Sequence, residues 1–298
     1  MSLRTLLRGT GVAIITPFQK DYSIDYSALD AMIDHVISNG VQYIVTLGTT
    51  GEAPTISKDE KRRIAEHTYQ KVNDRVPVVV GIGGNDTAET VQELKTFPLD
   101  KATAVLSVSP YYSKPSQEGL YQHYKAVAAA SPKPVVLYNV PGRTGRNLSA
   151  ATTVRLAKEV PNIGGIKEAA GDMLQCMQIL KDRPEDFLVC SGDDTLALPQ
   201  IACGMDGVIS VIANSMPRKF SDMVKLSLDG KFVEAKGLND AMLETYETLF
   251  AENNPAGVKS FLFHLGLIEN VLRLPVVPLS ETLHQKAKQI LDEDPSLR

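Results

Sequence analysis

Short runs rich in valine, isoleucine and leucine recur eight times along this chain, and a longer stretch with helical spacing separates each run from the next. Such an alternation is the pattern of βα units around a parallel sheet. The runs are "GVAIITPF" (11–18), "QYIVTLG" (42–48), "VPVVVGIG" (76–83), "ATAVLSVSP" (102–110), "KPVVLYNV" (133–140), "NIGGIKE" (162–168), "DFLVCSG" (186–192) and "DGVISVIA" (206–213). Their near-continuous apolar content suits strands buried on both faces, whereas a half-exposed sheet would alternate apolar and polar positions. Eight alternations without a reversal favour an α/β fold closed as a (β/α)8 TIM barrel over an open doubly wound sheet, and such a barrel occupies about 250 residues.

The barrel, with the active site, is therefore assigned to residues 1–230 of the 298. From Lys231 onward there is no strand pattern, only helical segments divided by Pro255, Pro275 and Pro278, so 231–298 reads as a C-terminal helical appendage. Ser57 with Glu60 and Asp86 with Glu89 have capping-box spacing ahead of two of the helices.

Bulk properties narrow the function classes. With 43% hydrophobic and 22% charged residues the composition is that of a globular chain. The net charge of -4, with no dense run of lysine or arginine, argues against a nucleic-acid partner. "MSLRTLLRGTGVAIITPF" has no signal-peptide pattern and no long apolar stretch follows anywhere, so a soluble cytoplasmic protein without a membrane segment is expected. Cys176, Cys190 and Cys203 are odd in number and lack C-x-x-C spacing, which makes them candidates for small buried hydrophobes rather than disulfide or zinc cysteines.

In a TIM barrel the chemistry sits where the strands end. Strand two ends in "GTTGE" with Thr49 and Thr50, strand four leads to Tyr111 and Tyr112, and strand five reaches Tyr138 and then Arg143. Strand six carries Lys167 in "IGGIKEAAGD", strand seven ends in "SGDD", and strand eight carries Ile209 and leads to Asn214. Each has a plainer reading: "GTTGE" as a tight turn before a helix, the tyrosines as packing or interface aromatics, and Asp193 and Asp194 as helix N-caps. "GIGGND" (81–86) lacks the third glycine of a dinucleotide fingerprint and reads as a turn. His35, His67, His123, His264 and His284 all fall inside helical segments, which argues against a histidine-held metal or a Ser-His-Asp triad at the mouth.

Lysine is then the remaining nucleophile. A free lysine titrates near 10.4, so only about one in a few thousand is a neutral amine at pH 7. An apolar barrel interior disfavours the ammonium, and a neutral amine there attacks a ketone to form a Schiff base, whose protonated form acidifies the adjacent carbon. Tyr138 on the neighbouring strand is placed to move the protons, Thr49 and a second tyrosine to relay them, N–H groups around Thr50 to hold a carboxylate, and Arg143 to hold another.

Together "GTTGEAP", "SPYYSKPSQEGLYQHY", "LYNVPGRTG", "GIKEAAGD", "SGDD" and "GVISV" resemble the dihydrodipicolinate synthase family of pyruvate-dependent class I aldolases, over essentially the whole chain. The resemblance implies condensation of pyruvate with L-aspartate 4-semialdehyde to 4-hydroxy-tetrahydrodipicolinate, without a cofactor or metal, at the entry to diaminopimelate and lysine synthesis. Lys167 is similar to the family's Schiff-base lysine and Tyr138 to its proton donor and acceptor, with Thr49 and Tyr112 as the other relay members. Thr50 and the main chain at Ile209 resemble the pyruvate contacts, and Arg143 the anchor for the semialdehyde carboxylate. The family's relay tyrosine comes from a neighbouring subunit, and the implied assembly is a homotetramer, a dimer of dimers. At the feedback site, where sensitive members have Ser and two His, this chain has Ala53, Lys58 and Lys61. Asn85, Glu89 and Tyr111 resemble retained parts, so weak or absent inhibition by L-lysine is expected. The competing readings are a sibling pyruvate lyase, such as N-acetylneuraminate lyase or a keto-sugar-acid aldolase, and a non-catalytic barrel.

Overall fold

The computed structural model describes residues 2–294. Its eight strands are β1 (Gly9–Ala13), β2 (Tyr43–Thr46), β3 (Val78–Gly81), β4 (Ala104–Val108), β5 (Val135–Asn139), β6 (Ile163–Glu168), β7 (Leu188–Ser191) and β8 (Gly207–Ser210). They pair in parallel in sequence order, and β8 returns to β1 to close the barrel. The helices are α1 (Leu3–Leu6), α2 (Tyr26–Ser38), α3 (Lys58–Val72), α4 (Thr87–Thr96), α5 (Gln117–Ala130), α6 (Pro141–Thr144) and α7 (Ala150–Glu159). They continue with α8 (Met173–Asp182), α9 (Ala197–Ala202), α10 (Pro217–Leu228), α11 (Phe232–Asp240), α12 (Leu243–Phe250), α13 (Ala256–His264) and α14 (Glu281–Glu293).

The first strand begins earlier than the apolar run suggests. Pairing stops at Ala13, while Ile14, Ile15 and Phe18 stay buried in the shell between barrel and helices, so burial prolongs the apolar pattern past the ladder. Helix entry follows capping chemistry: Asp25, Ser57, Asp86, Ser116, Ser149 and Asp172 each accept from an N–H of the first turn. The box at Ser57 is complete, but Glu89 does not close a box at Asp86; its carboxylate takes Lys58 instead (2.8 Å).

Two apolar layers follow from the strand period of two. Outward residues pack under the helices, while inward ones, among them Tyr43, Val45, Val79, Leu106, Val136, Tyr138 and Cys190, fill the barrel. Gly11 leaves room for the Tyr43 ring, since a Cβ there would lie 2.2 Å from it. Leu3 and Leu7 close the bottom, where the buried Asp206 holds Arg4 (2.8 Å) and Arg183 (2.5 Å). In the tail, α11 packs on α9 and α10, α12 to α14 pack on one another, and α13 also meets the short 3-10 turn Ile212–Asn214. Of the cysteines, Cys176 and Cys190 are buried as expected, but Cys203 is exposed, because it ends α9 at the turn into β8.

Candidate active site

Tyr138 and Lys167 are register partners on β5 and β6, both pointing into the barrel near its C-terminal end. Lys167 is only 5% exposed, and its Nζ lies 4.5 Å from the centroid of the Tyr138 ring. Among the described residues it has no carboxylate partner. Gly192, at the end of β7, makes room for it: a Cβ there would come 2.9 Å from Cε of Lys167. Cys190 lies beside Lys167 on β7, and burial pushes its thiol up to about 12 even though the lysine acts in the opposite direction.

The next residue on each strand points outward and braces it. Glu168 is buried and accepts from Asn139 Nδ2 (3.0 Å to each oxygen), Gln175 Nε2 (2.9 Å) and the Ala170 N–H (2.7 Å). Burial raises its carboxyl above the usual range, and these donors act against the rise. Asn139 in turn accepts from the Leu148 N–H (2.9 Å), which ties β5 and β6 to the loop that carries Arg143.

Thr49 and Thr50 sit on a loop bracketed by two non-glycine residues in the left-handed region, Leu47 (φ 58°) and Glu52 (φ 56°). Such conformations persist when the surroundings over-determine them. Here Thr16 Oγ1 donates to the Gly51 carbonyl (2.8 Å), and the buried Glu52 takes Lys259 Nζ of α13 (2.5 Å) and the Arg273 N–H (3.1 Å). Thr50, 2% exposed, accepts from Asn254 Nδ2 (3.0 Å). The Asn254 carbonyl accepts from Arg143 Nη2 (3.3 Å). Glu52, Lys259 and Asn254 were not singled out in the sequence. Lys259 carries the same signal as Lys167, a lone lysine in an apolar run.

A cavity of about 390 Å³ opens above Tyr138, lined by Thr49, Tyr138, Arg143 and Tyr111. Ile209 lies on β8, inside the barrel. Tyr112 is not brought to this cavity: it is 89% exposed, with φ 70°, and is not among the residues that line it. Asn214 lies beyond β8 and has a bracing role, accepting from the Ile15 N–H (3.1 Å) and donating to the Ala13 carbonyl (2.9 Å). The two aspartates of "SGDD" divide. Neither is a helix N-cap: the cap position of α9 is Leu196, without a side-chain cap bond, and Asp193 accepts from the Thr195 and Leu196 N–H groups in the turn ahead of it, whereas Asp194 turns inward and takes the Val211 and Ile212 N–H groups (2.9 and 2.8 Å). Burial raises the Asp194 carboxyl to about 6.

The cavity extends to Ala53, Lys61 and Glu93. Lys58 stands outside it on the surface, joined to Glu89. All five histidines are in helices, and among the described residues no three His, Cys, Asp or Glu side chains cluster to hold a metal.

A closed (β/α)8 barrel with an amine and a phenol enclosed at the strand ends belongs to the barrel enzymes that work from that face. The chain is a member of the dihydrodipicolinate synthetase family, whose model matches residues 6–294. A 4-hydroxy-tetrahydrodipicolinate synthase of Flavobacterium psychrophilum is 51% identical over 278 residues, 93% of this chain and 95% of the relative. A monomeric dihydrodipicolinate synthase variant superposes with TM-score 0.94 at 38% identity, over 97% of each chain. The dihydrodipicolinate synthase of Acinetobacter baumannii complexed with pyruvate gives 0.93 at 41%, covering 96% of this chain and 98% of that one.

Proposed function

We propose that this chain condenses pyruvate with L-aspartate 4-semialdehyde to 4-hydroxy-tetrahydrodipicolinate through an imine on Lys167, serving lysine and diaminopimelate synthesis in the cytoplasm without a cofactor. One observation carries the reading: an enclosed lysine amine with no carboxylate partner, packed on the face of a tyrosine one strand away.

The amine adds to the keto carbon of pyruvate and water leaves, giving the imine; loss of a methyl proton gives the enamine, whose carbon attacks the aldehyde. The amino group of the semialdehyde then displaces Lys167 from the imine carbon, which closes the ring and frees the enzyme. Each stage moves a proton, and Tyr138 is the group beside the amine that can carry it. Thr49 lines the same cavity and extends the relay, Thr50 and the main chain at Ile209 hold the pyruvate carboxylate, and Arg143 holds that of the semialdehyde.

Tyr112 completes the relay from a second copy of the chain in a homotetramer built as a dimer of dimers; its exposure and its absence from the lining of its own cavity support this. The division into a barrel of residues 1–230 and a helical appendage of 231–298 belongs to the same reading, with Met1 and 295–298 lying outside the described residues. Among the described residues no helix is long and apolar enough to cross a membrane.

Incubation with pyruvate followed by borohydride will fix the mass of reduced pyruvate on the peptide containing Lys167, and Arg143→Ala will chiefly raise the KM for the aldehyde. Absence of the adduct, or turnover of sialic acid in preference to aspartate semialdehyde, refutes the reading.

A further inference from the structure

The two carboxylate anchors come from different strands, Thr50 after β2 and Arg143 after β5, and both meet one residue of the helical tail. Asn254 gives its side-chain amide to Thr50 Oγ1 (3.0 Å) and its carbonyl to Arg143 Nη2 (3.3 Å). We infer that Asn254 is a positioning residue that aims the Thr50 hydroxyl at the keto-acid carboxylate and sets the spacing between the two anchors; the inference rests on the function proposed above.

The argument is one of donors and acceptors. A threonine hydroxyl has a single proton to give and lone pairs to receive with. Because Thr50 Oγ1 receives from Asn254 Nδ2, its own proton is left for another acceptor, and a carboxylate is the acceptor that the reaction brings. Turned the other way, the amide would accept that proton and leave Thr50 with no donor for substrate.

Asn254 is itself well held. Pro255 follows it and α13 begins directly afterwards, and Lys259, one turn further on, is locked to Glu52 two residues after Thr50. The tail thus grips the 48–52 loop at two points. The Asn254 side-chain carbonyl is buried without a partner among the described residues, which is a cost to the fold. Asparagine at this position is then accounted for by what its donor does.

The test is steady-state kinetics on the full-length chain for Asn254→Ala, Asn254→Asp, Thr50→Val and the double variant Asn254→Ala/Thr50→Val. Asn254→Ala is expected to raise the pyruvate KM about tenfold, the loss of one charge-assisted hydrogen bond at the Thr50 anchor, and to leave the aldehyde KM nearly unchanged because the main-chain carbonyl that receives Arg143 stays, with kcat changed less than about threefold. In the Thr50→Val background the same change is expected to leave the pyruvate KM as it is. Asn254→Asp, close in shape but unable to donate, is expected to raise the pyruvate KM at least as much as alanine does.

Two results would overturn the inference. One is a pyruvate KM that rises by the same factor with and without the Thr50 hydroxyl, which would make Asn254 a general clamp on the tail. The other is a normal pyruvate KM in Asn254→Asp, which would mean that Thr50 gives its proton to residue 254. Borohydride trapping at saturating pyruvate separates this from the parent reading: the adduct on Lys167 forms in every variant if only the positioning idea is wrong, and fails in the unmodified chain if the Schiff-base reading is wrong.

Discussion

Among the described residues two lysines are enclosed, one in the barrel and one on α13 of the tail, each under an aromatic ring. Lys259 Nζ lies 4.3 Å from the Phe18 centroid and Lys167 Nζ 4.5 Å from that of Tyr138. Their other neighbours differ. Lys259 is wholly buried, bonded to Glu52 and to the Val271 carbonyl (3.0 Å), and its ring partner has no proton to exchange. Among the described residues Lys167 has neither carboxylate nor carbonyl partner, and its ring partner is a phenol. A paired lysine spends its donors on holding two segments together, whereas an unpaired one beside a proton carrier keeps its nitrogen for chemistry. Burial and an aromatic neighbour are common to both; the missing counter-ion is what supports the catalytic role proposed for Lys167.

The largest separation between the two should come from removing each amine. Lys167→Met is expected to lower kcat by at least about a thousandfold, since the covalent step has no other nucleophile. It should leave the melting temperature unchanged or higher, because no charge is orphaned. Lys259→Met is expected to cost about 3–5 kcal/mol of stability by leaving Glu52 buried and unpaired, with Glu52→Gln in the same chain recovering much of it. Turnover at 25 °C together with denaturant melts checks both. A stable Lys259→Met protein, or a Lys167→Met protein as unstable as the Lys259 variant, would erase the distinction.

A smaller effect sharpens it through pH. Burial pulls Lys259 down to about 8 in spite of Glu52, against 10.5 for an ordinary lysine. Between these values the unfolded chain holds a proton that the folded one has released, so stability gained from this group increases as pH rises from about 8 to 10.5. Asp194 runs the other way. Its carboxyl is raised to about 6 from 3.8, so the folded chain holds the extra proton, and stability falls as pH rises from 3.8 to about 6. Melts across both windows, compared with Lys259→Met/Glu52→Gln and with Asp194→Asn, should lose the respective slopes.

The first of these lysines was legible in the sequence and the second was not, although their local signals are alike. Lys167 ends a strand run, and barrel geometry puts strand ends in the site, so topology gave the residue a meaning. Lys259 lies in a helical segment, and its partner is 207 residues away, a pairing that no local pattern encodes. Asn254 was hidden for the same reason, 204 residues from Thr50. The strands themselves could be read because burial on both faces makes them nearly all apolar. The error at β1 has the same source, since Ile14 to Phe18 are buried beyond the end of the strand. Tyr112 was singled out from its motif, but the relay role proposed for it would need a second chain, and one chain's geometry leaves it in solvent.

The smallest predicted effect concerns a third lysine, one that is exposed. Lys58 and Glu89 meet at 2.8 Å on the surface, with side chains 77% and 63% exposed, so solvent and salt screen the pair and it adds little to stability. Its consequence is electrostatic selection rather than stability. A free L-lysine approaching Glu89 would find the carboxylate already taken by an ammonium, with Lys61 beside Ala53 adding a second like charge at the rim of the cavity. Sub-millimolar L-lysine is therefore expected to leave turnover nearly unchanged, and Lys58→Ala combined with Lys61→Ala to make the enzyme measurably more sensitive while moving its melting temperature little. Half-inhibition of the unmodified enzyme at sub-millimolar L-lysine would show that an exposed lysine pair does not exclude the effector. It would also show that the rule drawn from the two buried lysines, in which the partner decides the role, stops at the surface.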